Sequence, residues 1–343
     1  MSKPLKLNVE ELKNGLNQVK PALANKEFIE VITHFLFTEQ KIIAYNDKIC
    51  ISYPYKHFTK TFSVKATDFL NILKSIKTKN ILCGFIKNRL VLKSSDTEAK
   101  ISINTEDMSI KDMYEKLDVD NLNFINLNDS NTFKQGLNFC RFSVSKDVTN
   151  RNLYCVSVQK DCIISADNMR VSKFNTDEKI KPFLIPGSAV NDLQNYEFDQ
   201  IAVEDNWVHF KNDDGLIFSS RLVDGDYPDL SQFFKIEETK KITVPIELKQ
   251  LLQEAAVMAE GESDTKKEVE ICLENGILSC TGKKEIGYIK KKMKIDYSGE
   301  KINFQINPYF LSQILDKSQE IRLTKNIAYF TSDNFIHLIA ISS

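Results

Sequence analysis

The sequence predicts an α+β protein assembled from copies of one small unit, and three observations lead there. A short apolar strand, a capping position and an amphipathic helix recur about six times, at intervals of roughly 60 residues. Short alternating runs of the kind that form half-buried strands lie between the helices. The joints between successive pairs of units are short and polar, which divides the chain into domains spanning 1–120, 121–238 and 239–343.

The first unit begins with Leu5-Lys6-Leu7 and Asn8, followed by a helix with Val9, Leu12, Leu16 and Val19 on one face. Pro21 ends it, because proline has no backbone N–H to continue the ladder. In the second unit Phe62-Ser63-Val64 leads through Thr67 to Phe69, Leu70, Leu73 and Ile76. Phe124-Ile125-Asn126-Leu127 precedes a helix carrying Phe133, Leu137 and Cys140, and Phe183-Leu184-Ile185-Pro186 precedes one carrying Val190 and Leu193. Ile242-Thr243-Val244 reaches Pro245, read as a first helical position, with Leu248, Leu251, Leu252 and Ala255 behind it. In the sixth unit Ile302–Ile306 meets Asn307 as N-cap and Pro308 at the first helical position, before Phe310, Leu311, Ile314 and Leu315. Hairpins are expected at 86–92, 207–210 and 276–280. The joints near Asp118-Val119-Asp120-Asn121 and Glu237-Glu238-Thr239-Lys240 are too short for flexible tethers, so the domains are expected in a fixed arc.

With 42% hydrophobic residues the 343-residue chain can give each domain a core. Its 46 Lys and Arg against 47 Asp and Glu leave a net charge of −1, so any attraction to phosphate must be local. The start, MSKPLKLNVEELK, lacks the apolar stretch of a signal peptide, and no membrane span is evident, which points to a cytoplasmic protein. Seven cysteines without a CxxC pair argue for buried free thiols over disulfides or a zinc site. Phosphate loops, HExxH and GxSxG are absent and the four histidines are scattered, so neither catalysis nor a cofactor is expected. Glu10-Glu11 and Asp213-Asp214 read as a helix start and a solvated turn.

Ser165-Ala166-Asp167-Asn168-Met169-Arg170-Val171, with the later Arg221-Leu222-Val223-Asp224-Gly225-Asp226-Tyr227-Pro228-Asp229, resembles the middle domain of the bacterial sliding clamp, the beta subunit of the replicative DNA polymerase III. Phe142–Ser145, Leu184–Pro186, Asn307–Leu311 and Leu338–Ile341 extend the resemblance into the third domain and, more weakly, the first. It implies the DNA-clamp fold: six βαβββ-type units per chain, closed as a head-to-tail homodimer with helices lining a central channel. It also implies a processivity factor that encircles duplex DNA without reading its sequence and binds the polymerase and the clamp loader through short linear peptides. A clamp-fold interaction protein that captures polymerase peptides without encircling DNA is the alternative.

If the repeated helices line the hole, six of them at about 8–10 Å spacing leave a lumen of only about 10 Å, whereas twelve leave more than about 20 Å. Only the second admits a duplex, so two chains are required. Contacts to phosphate are expected from helix positions opposite the apolar stripe: Lys13, Lys20, Lys74, Lys134, Arg141, Lys249 and Lys317. The resemblance adds Lys26 and the loop from Lys146 through Arg151 to Asn152. Gly187-Ser188 stands where the family often has basic residues, which weakens the expected DNA contacts of the second domain.

By the same resemblance, a peptide-binding pocket between the second and third domains comprises Leu153, Ala166, Asn168, Met169, Arg170, Val171, Pro228, Phe233, Asn307, Phe310, Ile339, Ala340 and Ile341. Apolar walls would suit Leu and Phe anchors, each worth about 1.5–3 kcal/mol on burial. Asn168 replaces a glycine of the family, and its tolerance of left-handed backbone is expected to preserve the turn. The dimer interface would set Ile101 and Ile103 against the helix end near Met258, covering exposed sheet edges.

Overall fold

The computed structural model describes residues 4–24, 30–106, 109–147, 149–150, 152–236 and 239–342. Six repeats of strand, helix and three-stranded meander follow one another. The first is β1 (Leu5–Asn8), α1 (Val9–Val19), β2 (His34–Phe37), β3 (Lys41–Tyr45) and β4 (Ile49–Pro54). The second is β5 (Phe62–Lys65), α2 (Ala66–Ser75), β6 (Asn80–Ile86), β7 (Arg89–Lys93) and β8 (Glu98–Ser102), after which comes α3 (Ser109–Lys116). The third is β9 (Ile125–Asn126), α4 (Ser130–Cys140), β10 (Cys155–Val158), β11 (Cys162–Ala166) and β12 (Arg170–Asn175). The fourth is β13 (Phe183–Pro186), α5 (Gly187–Leu193), β14 (Gln200–Val203), β15 (Trp207–Lys211) and β16 (Ile217–Arg221). The fifth is β17 (Lys240–Thr243), α6 (Leu248–Ala256), β18 (Val269–Glu274), β19 (Ile277–Lys284) and β20 (Gly287–Lys294). The sixth is β21 (Ile302–Ile306), α7 (Pro308–Ile314), β22 (Glu320–Leu323), β23 (Ile327–Thr331) and β24 (Phe335–Ala340).

The six helices read from apolar spacing are all present, and the fold is α+β. Three local readings are corrected. Thr67 lies inside α2, whose N-cap is Lys65. Pro245 opens a tight turn, with the Leu248 N–H donating to its carbonyl, and α6 begins only at Leu248. Helix α3 was not foreseen; the polar joint at 118–121 follows it and is packed, with Val119 buried and Asp120 paired to Lys41 at 2.5 Å.

Strands are exchanged between neighbouring repeats. β1 pairs with β6 while β5 pairs with β2, β9 pairs with β14 while β13 pairs with β10, and β17 pairs with β22 while β21 pairs with β18. The chain divides into two compact units, Met1–Asn131 with Ser188–Asp224, and Thr132–Gly187 with Gly225–Ser343. The first holds an eight-stranded sheet, β5-β2-β3-β4-β16-β15-β14-β9, and a four-stranded sheet, β1-β6-β7-β8. The second holds the eight-stranded sheet β13-β10-β11-β12-β24-β23-β22-β17 and the four-stranded sheet β20-β19-β18-β21.

Helices α1 and α7 start for reasons visible in their own residues. At α1 the Asn8 carboxamide oxygen accepts from the Glu10 and Glu11 N–H groups at 3.0 and 3.3 Å, and Leu12, Leu16 and Val19 are fully buried. At α7 Asn307 accepts from the Phe310 N–H at 3.0 Å with Pro308 in the first turn, as the sequence predicted. Asn275 and Gly276 both have positive φ, 53° and 74°, the backbone that a two-residue hairpin turn between β18 and β19 requires. Gly282 on β19 is where α6 presses closest: a methyl group there would stand 2.0 Å from the Ala255 carbonyl oxygen. All seven cysteines are free, with Cys272 half-buried and the others buried. Among the described residues no helix is long and apolar enough to cross a membrane.

Candidate functional site

Most of the residues assigned to a peptide pocket belong to, or pack around, one turn in the second compact unit. Asp167 closes the β11–β12 hairpin, its carboxylate accepting from the Met169 and Arg170 N–H groups at 2.8 and 3.0 Å. The other carboxylate oxygen accepts from Arg170 Nε at 3.0 Å, and Arg170 Nη1 donates to Gln313 on α7 at 2.6 Å. The guanidinium lies 3.8 Å from the centre of the Phe310 ring. Burial lowers the pKa of Arg170 from the usual guanidinium value, while Asp167 opposes the shift. Asn168 is exposed and is not among the residues with positive φ, so the left-handed turn expected there is not adopted.

The thirteen residues named for this pocket separate by burial. Ala166, Arg170, Val171, Asn307, Phe310 and Ile339 are buried, and of these only Arg170, Asn307 and Phe310 border the cavity beside this turn. Leu153, Met169, Phe233, Ala340 and Ile341 are half-buried, and Asn168 and Pro228 are exposed. The last strand is fixed beside the turn: Arg170 pairs with Ile339, and the Ala340 N–H donates to the Met169 carbonyl at 2.7 Å. Asn307 is held by both ends, its amide donating to the Asp264 and Lys267 carbonyls at 2.9 Å each. A cavity of about 510 Å³ opens here, bounded by Lys146, Met169, Arg170, Lys267, Asn307 and Phe310.

Sequence reading named only Pro228 and Phe233 as pocket residues from the segment that covers the neighbouring face, and not its extent. Tyr227, Leu230, Phe233, Phe234 and Ile236 pack on Cys162, Ile164, Ala166, Val171 and Leu338, and the Tyr227 hydroxyl accepts from the Ala166 N–H at 2.7 Å. The signal was available as the further apolar residues Leu230, Phe234 and Ile236, which lie between the quoted motif and the joint near 237–240. Asp167 and Gln313, which hold Arg170, were also missed; an acid three residues before an arginine inside the quoted motif pointed to the first of them.

The cations assigned to DNA occupy differing surroundings. Lys20, Lys74 and Lys317 are exposed and make no ion pair among the described residues. Lys13 is paired with Glu10 at 3.3 Å and Lys249 with Asp316 at 2.7 Å, so a phosphate would have to replace a carboxylate at each. Lys134 is half-buried on α4. Arg141 lies 5.3 Å from the Phe142 ring, its pKa lowered by burial, and Lys146 lies 5.9 Å from the Tyr309 ring. The Asn152 amide donates to the Asp226 carbonyl at 2.6 Å, which makes it a brace for the 225–236 segment. Lys26 and Arg151 lie outside the described residues.

The residues assigned to an interface lie at or beside sheet edges. Ile101 sits on the edge strand β8, and both it and Ile103 are largely buried within their own unit, at 8% and 7% exposure. Met258 is half-buried just beyond α6, beside the much more exposed Val257, Ile286 and Tyr288, which sequence reading did not single out. Among the described residues no three histidine, cysteine or acidic side chains are grouped as metal ligands.

No protein-family model matches the chain. A beta sliding clamp of Buchnera aphidicola subsp. Acyrthosiphon pisum is 28% identical over 208 residues, 57% of this chain and 54% of that protein. A beta sliding clamp of Chlamydia pneumoniae is 22% identical over 339 residues, 90% of this chain and 88% of that protein. In structure, the beta subunit from the DNA polymerase of Streptococcus pyogenes matches with a TM-score of 0.83 at 18% identity, covering 99% of both chains. The Helicobacter pylori beta clamp bound to a DNA ligase peptide matches with a TM-score of 0.80 at 14% identity, covering 99% of this chain and 100% of that one. The chain therefore has the sliding-clamp fold along its whole length, and its sequence resembles that of bacterial beta clamps.

Proposed function

We propose that the chain is a DNA polymerase processivity factor: two copies close head to tail around duplex DNA and hold replication proteins to it through short peptides. The observation that carries this reading is the sheet inventory. Two sheets are complete at eight strands, each joining the last strand of one repeat to the last strand of the repeat three further on: β4 to β16, and β12 to β24. The same rule would join β8 to β20, yet these are the end strands of two four-stranded sheets. A second copy supplies the missing neighbour for each, head to tail, and covers edges that would otherwise template aggregation.

Pairing the repeats by strand exchange supports three domains of two repeats each, with the boundaries expected near 120 and 238. Twelve helices then enclose a lumen above about 20 Å, wide enough for a duplex, and Lys20, Lys74 and Lys317 are the cations readiest to meet phosphate there. The turn around Arg170, with the cavity beside it, is the proposed peptide site; the DNA ligase peptide bound to the Helicobacter pylori clamp is a precedent for the ligand class. No chemistry is assigned to the chain, and DNA replication places it in the cytoplasm.

The test is the length of DNA that a replicative polymerase makes per binding event, with and without neutralisation of Lys20, Lys74 and Lys317 to Gln. Long products with the parent chain and clearly shorter ones with the variant are expected, since removing cations that face phosphate weakens retention on the duplex. Equal lengths with both would favour peptide capture without encirclement.

A further inference from the structure

We propose that the sheet completed between copies has one defined register, in which Glu98 of one copy lies opposite Lys292 of the second and Ile101 lies opposite Ile289. This rests on the reading that two copies form a ring, and it specifies the surface through which they do so.

The register follows from the repeats themselves. The last hairpins of the first three repeats have two-residue turns closed in the same way: Asn46 donates to Ile49 at 3.0 Å, Ser94 to Thr97 at 2.8 Å, and Asp167 to Arg170 at 3.0 Å. Ile49, Thr97 and Arg170 are therefore equivalent. In the other three repeats a two-residue turn precedes the central strand, between Glu204 and Trp207, Glu274 and Ile277, and Thr324 and Ile327. Trp207 pairs with Arg221, Ile277 with Lys294, and Ile327 with Ala340, so Arg221, Lys294 and Ala340 are equivalent.

Both complete sheets then agree. Ile49 faces Ser220 and Arg170 faces Ile339, in each case the residue just before the equivalent end position. Carried to the open edges, Thr97 faces Met293, Glu98 faces Lys292, Ala99 faces Lys291, Lys100 faces Lys290, Ile101 faces Ile289 and Ser102 faces Tyr288.

Exposure gives an independent check. Glu98, Lys100 and Ser102 are exposed, and so are Lys292, Lys290 and Tyr288, whereas Ala99, Ile101, Lys291 and Ile289 are half-buried or buried. The derived register matches outward residues to outward ones. A slip of one residue would set Ile101 against an exposed lysine or tyrosine.

Charge makes Glu98 the residue on which the joint depends. Lys290, Lys292 and Lys294 project from alternate positions of β20 and make no ion pair among the described residues. On β8 the matching face carries Lys100 and, from β7, Lys93, both already drawn to Glu98 at 3.2 and 3.1 Å. Glu98 thus stands directly opposite Lys292, diagonal to Lys290 and Lys294, and beside the like-charge pair of Lys100 and Lys290, while Asp96 falls opposite Lys294. Replacing Glu98 with a cation puts like charges directly opposite each other at Lys292 and leaves Asp96 as the remaining acid on this edge.

The experiment measures dimer dissociation by sedimentation for the parent, Glu98→Lys, Lys292→Glu and the doubly exchanged chain. Disulfide formation is measured in Lys100→Cys/Lys290→Cys and in Lys100→Cys/Lys292→Cys. Glu98→Lys is expected to weaken the dimer by about tenfold or more, and the double exchange to bring it back to within about threefold of the parent. Only the Lys100→Cys/Lys290→Cys chain should cross-link between copies efficiently, because directly opposed strand residues lie within disulfide reach and those offset by two do not. A dimer that cross-links only in the offset pair, or that ignores the charge exchange, overturns the register and leaves the ring intact. A parent chain that stays monomeric at tens of micromolar overturns both.

Discussion

At Arg170 a guanidinium is buried without an energetic contradiction because Asp167, Gln313 and the Phe310 ring satisfy its charge, one of its donors and its face. His337 is buried differently. Its Nδ1 meets the Ser172 hydroxyl at 2.8 Å, its Nε2 has no hydrogen-bond partner among the described residues, and burial with the nearby Arg170 holds its pKa at about 3. His209, beside Ser219 at 2.8 Å, is held at about 4 by burial. Both lie below the unfolded value near 6.5, so the unfolded chain takes up protons first as pH falls. Their contribution to stability is complete above about pH 6.5 and declines steadily towards pH 3–4, by roughly 2 kcal/mol per histidine at pH 5. Urea midpoints measured from pH 7 to 5 should show this slope, and His337→Gln should make it shallower; an unchanged slope would assign the acid sensitivity to other groups. Scattered spacing in the sequence excluded a metal site for these histidines but could not show that they would be neutral core residues, because burial depends on strands distant in sequence.

At the scale of elements, the apolar residues of α1, α2 and α4 to α7 fall at helical spacing behind recognisable starts, and that is why these helices could be read directly. Helix α3 escaped because its eight residues carry only a narrow apolar face; Ile110 and Tyr114 are buried by packing against Ile43, Tyr45 and Cys50, and Lys41 Nζ donates to the Tyr114 hydroxyl at 2.9 Å. The pocket residues carried over from the family motif gather around one turn, but several of them are buried supports, a distinction that only packing makes. At Gly282 there is no room between α6 and β19 for a methyl group. Gly282→Ala should destabilise the chain by about 3 kcal/mol, because backbone on both sides must move to admit the methyl group. Thermal unfolding would register this, and an unchanged melting temperature would mean that α6 leaves room for a methyl group on its sheet.

For the whole molecule, the repeat pattern was legible because each copy carries its own start signal and hydrophobic stripe. The exchange of first strands was not, and the open edge at Ile101 and Ile103 was expected only from the family resemblance, since sequence shows which segments are strands but not which strands remain without a neighbour. The two unfinished sheets lead to the claim that everything else serves, that paired copies enclose DNA topologically. The most direct test loads the purified protein onto nicked circular DNA with a clamp loader, isolates the complex by gel filtration at a salt concentration that abolishes simple phosphate binding, and then linearises the circle. A threaded ring stays on the circle and slides off the linear molecule within minutes. Retention that is the same on both forms, or absent from the circle, would contradict enclosure.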